Sequence, residues 1–255
     1  MNHSPVPNEL LQLWWVIPTL LVLAVFRSAW FRGWRGEAFV KRAARHRLPA
    51  ESYHLLHDVT LPTPDGTTQI DHIIVSRFGI FVVETKNMSG WIFGGENQSQ
   101  WTQTIFRRSF KFQNPLRQNF KHVKAVQRVA HVPSDAIHSV VVFVGKSTFK
   151  SSMPRNVTRR HDCFTYIESF CDLLLSDSQV QHAVSTLQTA RLTPSHRTRR
   201  KHVQSLKTRA DPMADRKCPR CGSSMVVRTA KRGSTASNQF WGCSAYPACR
   251  VVQKL

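Results

Sequence analysis

The sequence predicts an α/β fold with an N-terminal transmembrane helix and a small cysteine-rich module at the C-terminus. Three observations predict it. Strand-like runs at Ile70–Val75, Ile80–Val83 and Ile137–Gly145 alternate with helix-patterned segments at Glu37–His46 and Leu116–Val132. The stretch Leu10–Phe26 carries no charge, and four cysteines fall into two pairs near the end of the chain.

The 255 residues suffice for one well-filled core and an accessory module. A formal net charge of +21 points to a polyanionic partner, with nucleic acid first and an anionic membrane surface second. Of six cysteines, Cys163 and Cys171 stand apart and read as isolated thiols.

Leu10–Phe26, LLQLWWVIPTLLVLAVF, is at the short end of what spans a bilayer, with Trp14, Trp15, Trp30 and Trp34 as interfacial anchors. The residues before it carry no Lys or Arg, whereas Arg27, Arg32, Arg35 and Lys41 follow it. The positive-inside rule then puts the bulk of the chain in the cytoplasm, on the inner membrane. Neither a leading positive charge nor a small-residue cleavage site marks this run as a signal peptide.

Gly33-x-x-Gly36-Glu37 opens the first helix, with Glu37 as a first-turn carboxylate. Tyr53–Leu61 alternates as a strand, and Pro62–Gly66 is a turn. Two apolar runs around Ser76-Arg77-Phe78-Gly79 then make a β-hairpin. Glu84 and Lys86 share a face, and the turn decides where Asp71 points. A turn at Phe78-Gly79 sets Asp71 opposite Lys86; one at Arg77-Phe78 sets it opposite Glu84; a three-residue turn sends it to the other face. Ser89–Ser109 reads as a further hairpin or strand pair. Asn114 caps a helix with Pro115 at its first position, and Leu116, Phe120, Val123, Val126 or Gln127, and Ala130 share one face. Ile137–Gly145 suggests a strand covered on both sides. Cys163–Ile167 reads as a short strand, Glu168–Leu175 and Ser178–Ala190 as closing helices, and Thr193–Lys217 as a flexible basic linker.

Cys218-x-x-Cys221 and Cys243-x5-Cys249 supply four thiolates, the full complement of a closed, structural, tetrahedral zinc site. So short a module cannot bury much core, so metal binding would provide its folding energy. Lys231, Arg232, Phe240, Trp241 and Tyr246 mix cations with stackable rings, as a single-stranded nucleic-acid surface requires. Phe240 and Trp241 can instead form the ribbon's small core, and at least one of them is expected there.

CPRCGSSMVVRTAKRGSTASNQFWGCSAYPACR, Cys218–Arg250, closely resembles the C4 zinc finger at the C-termini of bacterial type I DNA topoisomerases, which implies zinc-dependent DNA binding. Residues 33–145 resemble the nuclease-related domain, a relative of the restriction-endonuclease-like fold. The matching features are Gly33-x-x-Gly36-Glu37, Ile70-Asp71-His72, Gly79-Ile80-Phe81-Val82-Val83-Glu84-Thr85-Lys86-Asn87, Gly90, Trp101 and Asn114-Pro115-Leu116-x-Gln118-Asn119. That resemblance implies a central mixed sheet flanked by helices, with Asp71 and Glu84 binding Mg²⁺ or Mn²⁺ and Lys86 orienting or activating the attacking water. Glu37 would approach the ion or water from its helix, and Gln118 would be a polar contact to substrate or water.

The expected organisation is an anchor at 10–26, a nuclease-related domain at 33–191, a basic linker at 192–216 and a zinc ribbon at 217–255. The expected function is metal-dependent hydrolysis of DNA phosphodiester bonds at the membrane, single-stranded and duplex DNA both being open as substrates. The rival is a non-catalytic tether or DNA-binding protein, and an RNA nuclease would differ only in substrate. With only 15 Asp and Glu in the chain, Glu37, Asp71 and Glu84 stand out against a basic background.

Overall fold

The computed structural model describes residues 16–64, 66–193, 218, 220–230 and 239–254. The elements in order are α1 (Val16–Arg27), α2 (Ala29–Arg47), β1 (Tyr53–Thr63), β2 (Gly66–Ser76), β3 (Gly79–Lys86), β4 (Gly90–Phe93), β5 (Gln100–Ile105), β6 (Arg108–Gln113), α3 (Pro115–Ala130), β7 (Ile137–Phe143), β8 (Ser147–Phe149), β9 (Val157–Arg159), α4 (Asp162–Glu168), α5 (Asp177–Ala190), β10 (Met225–Thr229), β11 (Gln239–Cys243) and β12 (Val252–Lys254). Two compact units result, Met1–Asp58 with Ile70–Ser185, and Val59–Gln69 with Thr186–Leu255.

The expected α/β class with a central mixed sheet is present. Its strand order is β1-β2-β3-β7-β9, with β2 antiparallel to β3 and β3 parallel to β7. The β-branched β7 runs between β3 and β9, as its near-continuous apolar character predicts. On one face Val40 and Ala44 of α2 and Phe164 and Ile167 of α4 meet Ile74, Phe81, Val83, Val140 and Val142. Each such fully buried side chain contributes about 1.5–3 kcal/mol of transfer free energy. A second sheet, β6-β5-β4-β8, covers another cluster of Ile92, Trp101, Val141, Phe143 and Val157. Ser89–Ser109 thus belongs to a four-stranded sheet rather than to an isolated strand pair.

Several expectations are corrected. No helix among the described residues is long and apolar enough to cross a membrane. Of the segment expected to span, Leu10–Trp15 lies outside those residues, and the remainder is α1, which stops at Arg27 before Ser28 caps α2. The first helix of the α/β domain therefore begins at Ala29, so Glu37 is an interior residue and not a first-turn carboxylate. Cys163–Ile167 lies in helix α4, where Cys163, Phe164 and Ile167 form a helical stripe on the core, and Glu168–Leu175 is largely irregular.

The buried face of α3 is also rotated from the apolar one expected. It carries Pro115, Asn119, His122, Ala125, Val126 and Ala130, while Phe120 is 60 % exposed. Asn119 is responsible: its side-chain amide donates to the Val82 and Val140 carbonyls and to Ser139 Oγ, strapping the helix to β3 and β7. Asn114 does cap α3, accepting from Leu116 N–H, and its amide donates to the carbonyls of Gly95, Glu96 and Gln98.

Candidate functional site

The β2–β3 turn is Arg77-Phe78, with Ser76 paired to Gly79 and His72 to Val83. The same register sets Asp71 opposite Glu84, the second of the three arrangements open to the sequence. Gly79 makes this turn possible, because its φ is +129° and a Cβ there would lie 2.8 Å from the Ala136 carbonyl. At the far end of the hairpin, Asp71 Oδ2 accepts the Thr85 N–H at 2.7 Å.

Glu84 is 3 % exposed and is held on both oxygens. Lys86 Nζ lies 2.7 Å from Oε1, and His122 Nε2 lies 3.2 Å from Oε2. Lys86 also donates to Gln118 Oε1 at 2.9 Å. Gln118 and His122 are one turn apart on α3, so both reach the same strand end. The structure thus brings Asp71, Glu84, Lys86 and Gln118 together, and adds His122, which the sequence reading missed. Its signal was the four-residue spacing from Gln118, hidden because only apolar positions were counted toward the helix's inner face.

Glu37 comes from α2. A Cβ on neighbouring Gly36 would lie 2.9 Å from Asn87 Cβ and 3.0 Å from Val144 Cγ2, so the glycine lets the helix close onto the segment after β3. Burial, then the charges of Asp58 and Glu84, raises the Glu37 carboxyl above the ordinary value. Asp71 is raised well above it by burial first and by Glu84 next, with the Thr85 N–H opposing. Burial pushes Glu84 upward too, but contact with His122 and the charge of Lys86 outweigh this and hold it below the ordinary value. Two adjacent carboxylates with opposite displacements suit a site that shares protons or takes a cation. On the neighbouring face, His57 Nδ1 meets His72 Nδ1 at 2.9 Å, and burial followed by His57 and Lys41 lowers His72 to about 3.

Asp71 and Glu84 offer the hard oxygen donors that Mg²⁺ or Mn²⁺ requires, and their mutual repulsion is what a divalent cation would relieve, so the donor set fits. Among the described residues, the group of three or more His, Cys, Asp or Glu side chains gathered closely enough to hold a metal ion is that of the four cysteines. Glu37 is close enough for its charge to raise Asp71 and for the charge of Glu84 to raise it in turn.

The cysteine cluster is a second, separate centre. Cys218, Cys221, Cys243 and Cys249 have Sγ atoms within 4.8 Å of one another. Cys218–Cys249 and Cys221–Cys243 separations are 3.7 and 3.4 Å. These are not disulfide distances; a tetrahedron with Zn–S of about 2.3 Å has edges of about 3.8 Å, so the four thiols fit zinc. Cys243 ends β11 of the antiparallel sheet β10-β11-β12, and Cys218, Cys221 and Cys249 lie in the turn and irregular segments outside its strands.

Of the rings expected to stack on bases, Trp241 is 3 % exposed among the cysteines and Met225, so it is the ribbon's core and offers no face to a base. Tyr246 is 59 % exposed, with the Arg228 guanidinium 5.7 Å from its centroid. Half-buried Phe240 joins Tyr246, Arg228 and Arg250 in lining a groove of about 810 Å³. Lys231 and Arg232 lie outside the described residues, as does the basic linker from residue 194 to 217.

Residues 32–144 match the nuclease-related domain, and residues 215–255 match the topoisomerase DNA binding C4 zinc finger. A Bacillus anthracis protein described as uncharacterised is 39 % identical over 203 residues, covering 78 % of this chain and 94 % of the relative. The uncharacterised protein YrdD of Escherichia coli (strain K12) is 47 % identical over 38 residues, covering 15 % of this chain and 18 % of its own length.

Proposed function

The chain belongs to the nuclease-related domain family and ends in a topoisomerase-type C4 zinc finger, and from that premise we propose that it is a metal-dependent nuclease acting on DNA. The observation that carries this reading is the pairing of Asp71 with Glu84 at a strand end, with the Lys86 ammonium fixed between Glu84 and Gln118. It is a carboxylate–lysine arrangement at the ends of two inner strands of a mixed sheet.

Asp71 and Glu84 would hold Mg²⁺ or Mn²⁺, which when bound supplies charge neutralisation at the phosphate and a water of lowered pKa. Lys86 places a positive charge where the phosphodiester gains negative charge. Gln118 takes up the lysine's remaining freedom, so the ammonium is preorganised rather than mobile. His122 fixes the second oxygen of Glu84, leaving Asp71 as the less committed carboxylate. Glu37, whose carboxyl burial raises above the ordinary value, would approach the ion or the attacking water from α2.

The zinc ribbon would deliver DNA binding through Tyr246, Phe240, Arg228 and Arg250 around its groove. We also place the chain at the cytoplasmic face of the inner membrane. The support is the uncharged run 10–26 and the exposed Ile17, Leu20, Leu21 and Leu23 of α1, which are 50–66 % accessible. Recovery in the soluble fraction after cell lysis, with no detergent requirement, would remove this part of the reading.

The full chain with Mg²⁺ or Mn²⁺ should nick or degrade DNA, and Asp71→Asn, Glu84→Gln and Lys86→Ala should each lower the rate by about a hundredfold or more. Equal cleavage by all four proteins would refute the mechanism. Salt-sensitive binding with no metal-stimulated cleavage would make the protein a DNA tether.

A further inference from the structure

The small sheet has a second face that no function yet accounts for. Strand alternation puts Ile92 and Trp101 inward, where both are fully buried. It turns Trp91 and Phe93 outward, and these are 50 % and 38 % exposed. Pairing identifies their neighbours: Thr104 lies opposite Trp91 and Thr102 opposite Phe93. Ser109 and Lys111 continue these rows on β6, and Thr148 continues the first on β8. A hydrogen bond of 2.9 Å between Thr104 Oγ1 and Ser109 Oγ confirms that these side chains share a face. The ammonium of Lys150 sits 4.8 Å from the Trp91 ring centroid.

We propose that this outward face, built on Trp91 and Phe93 with Lys111 and Lys150, is a stacking platform for single-stranded nucleic acid. Two exposed rings two residues apart on a strand stand about 7 Å from each other, room for two bases that are not stacked together. Lys150 places a cation beside one ring, and Lys111 lies opposite Thr102 in the row of the other. Base stacking on aromatic rings with flanking cations is how sequence-tolerant single-strand sites work. None of the outward positions named is acidic, and the chain carries a net charge of +21, so a polyanion is the complementary occupant.

The placement links this face to the candidate active site. Trp91 follows Lys86 by five residues in the sequence, which limits the separation of their Cα atoms to about 18 Å. A strand lying on the platform would reach the Asp71–Glu84 end of the hairpin within a few nucleotides. The inference deepens the nuclease reading, on which it rests for the identity of the polymer, by assigning the single strand as the form bound next to the site.

The test is binding of a fluorescein-labelled oligothymidylate to the full-length, zinc-loaded chain without added Mg²⁺, so that no cleavage contributes. Trp91→Ala with Phe93→Ala should weaken binding about tenfold or more, Trp91→Phe should keep most of the affinity, and Lys150→Glu should weaken it at low salt. A 5-iodouracil-substituted strand should photocrosslink within residues 90–93. Unchanged affinity in the folded double variant together with no crosslink there would overturn the proposal. So would loss of binding to phosphatidylglycerol vesicles in the double variant while oligonucleotide binding stays intact. An inactive wild type that still binds through these rings sinks the nuclease reading and leaves the platform standing; an active enzyme indifferent to them does the reverse.

Discussion

His122 Nε2 lies 3.2 Å from Glu84 Oε2, the oxygen that Lys86 does not take. Both side chains are almost fully buried, so the contact cannot be replaced readily by water. His122→Ala should therefore leave a buried carboxylate under-partnered, at a cost of about 1–3 kcal/mol. Urea unfolding at neutral pH would show this as a lower midpoint with an unchanged slope. Cleavage should fall as well, because Glu84 is then fixed on one oxygen only, by Lys86. His122→Gln, which keeps a donor, should recover part of both losses.

Gly36 and Gly33 look alike in the sequence and differ in the fold. A methyl group at Gly36 meets Asn87 and Val144 at 2.9 and 3.0 Å, whereas nothing lies within 4 Å at Gly33. Gly36→Ala should destabilise by about 1–3 kcal/mol through overpacking, and it should lower activity by displacing Glu37. Gly33→Ala sits inside helix α2 and should stabilise by about 0.5–1 kcal/mol. Thermal unfolding of the two variants side by side distinguishes them.

The hairpin and the cysteine pairs were legible because their signals are local. Two continuous apolar runs on either side of Ser76–Gly79 specify two strands, and only the turn length, a matter of one residue, was left open. Gln118 was placed at the site only through the family resemblance, as a contact to substrate or water, and its hydrogen bond to Lys86 was not anticipated. Asn119 and His122 were not anticipated, because polar residues on the inner face of α3 break the apolar stripe by which a helix's buried side is recognised. Their burial is decided by partners far along the chain: the carbonyls of Val82 and Val140 for Asn119, and Glu84 for His122. Phe120 marks the same limit from the other side, since an apolar residue at helical spacing is exposed when polar neighbours hold the contact face. For Cys163–Ile167, so short an apolar run fits either period, and the helix wins by seating Cys163, Phe164 and Ile167 against the sheet.

Zinc should be structural. Among the ribbon's described residues, the buried core consists of Met225, Trp241 and three of the four cysteines, which is too little apolar surface to fold alone. The purified chain should carry one zinc per molecule, and Cys243→Ser or chelation should expose residues 218–254 to limited proteolysis. The mixed sheet should survive, seen as retained protection of β3 and β7. Metal-stimulated cleavage of short oligonucleotides should persist at a reduced affinity, since Asp71, Glu84 and Lys86 belong to the other compact unit.

His138 gives the fold a testable acid sensitivity away from the Asp71–Glu84 site and the cysteine cluster. Its ring lies 4.2 Å from Phe170 and 5.0 Å from Phe81, centroid to centroid. Burial lowers its pKa below the ordinary value of 6.5, although the Phe78 backbone and the charge of Asp135 pull the other way. The folded state therefore favours the neutral ring, and the unfolded chain takes up the proton first as pH falls. The sign follows: this contribution to stability is complete above about pH 6.5 and declines as the pH drops through that value. His138→Phe removes the titrating group and keeps the ring contacts. Urea unfolding at about pH 7.5 and 5.5 should show a smaller loss on acidification in the variant than in the wild type. The remaining histidines and carboxylates are present in both proteins and cancel in the difference, so equal losses would show that His138 binds a proton equally well in the folded and unfolded chain.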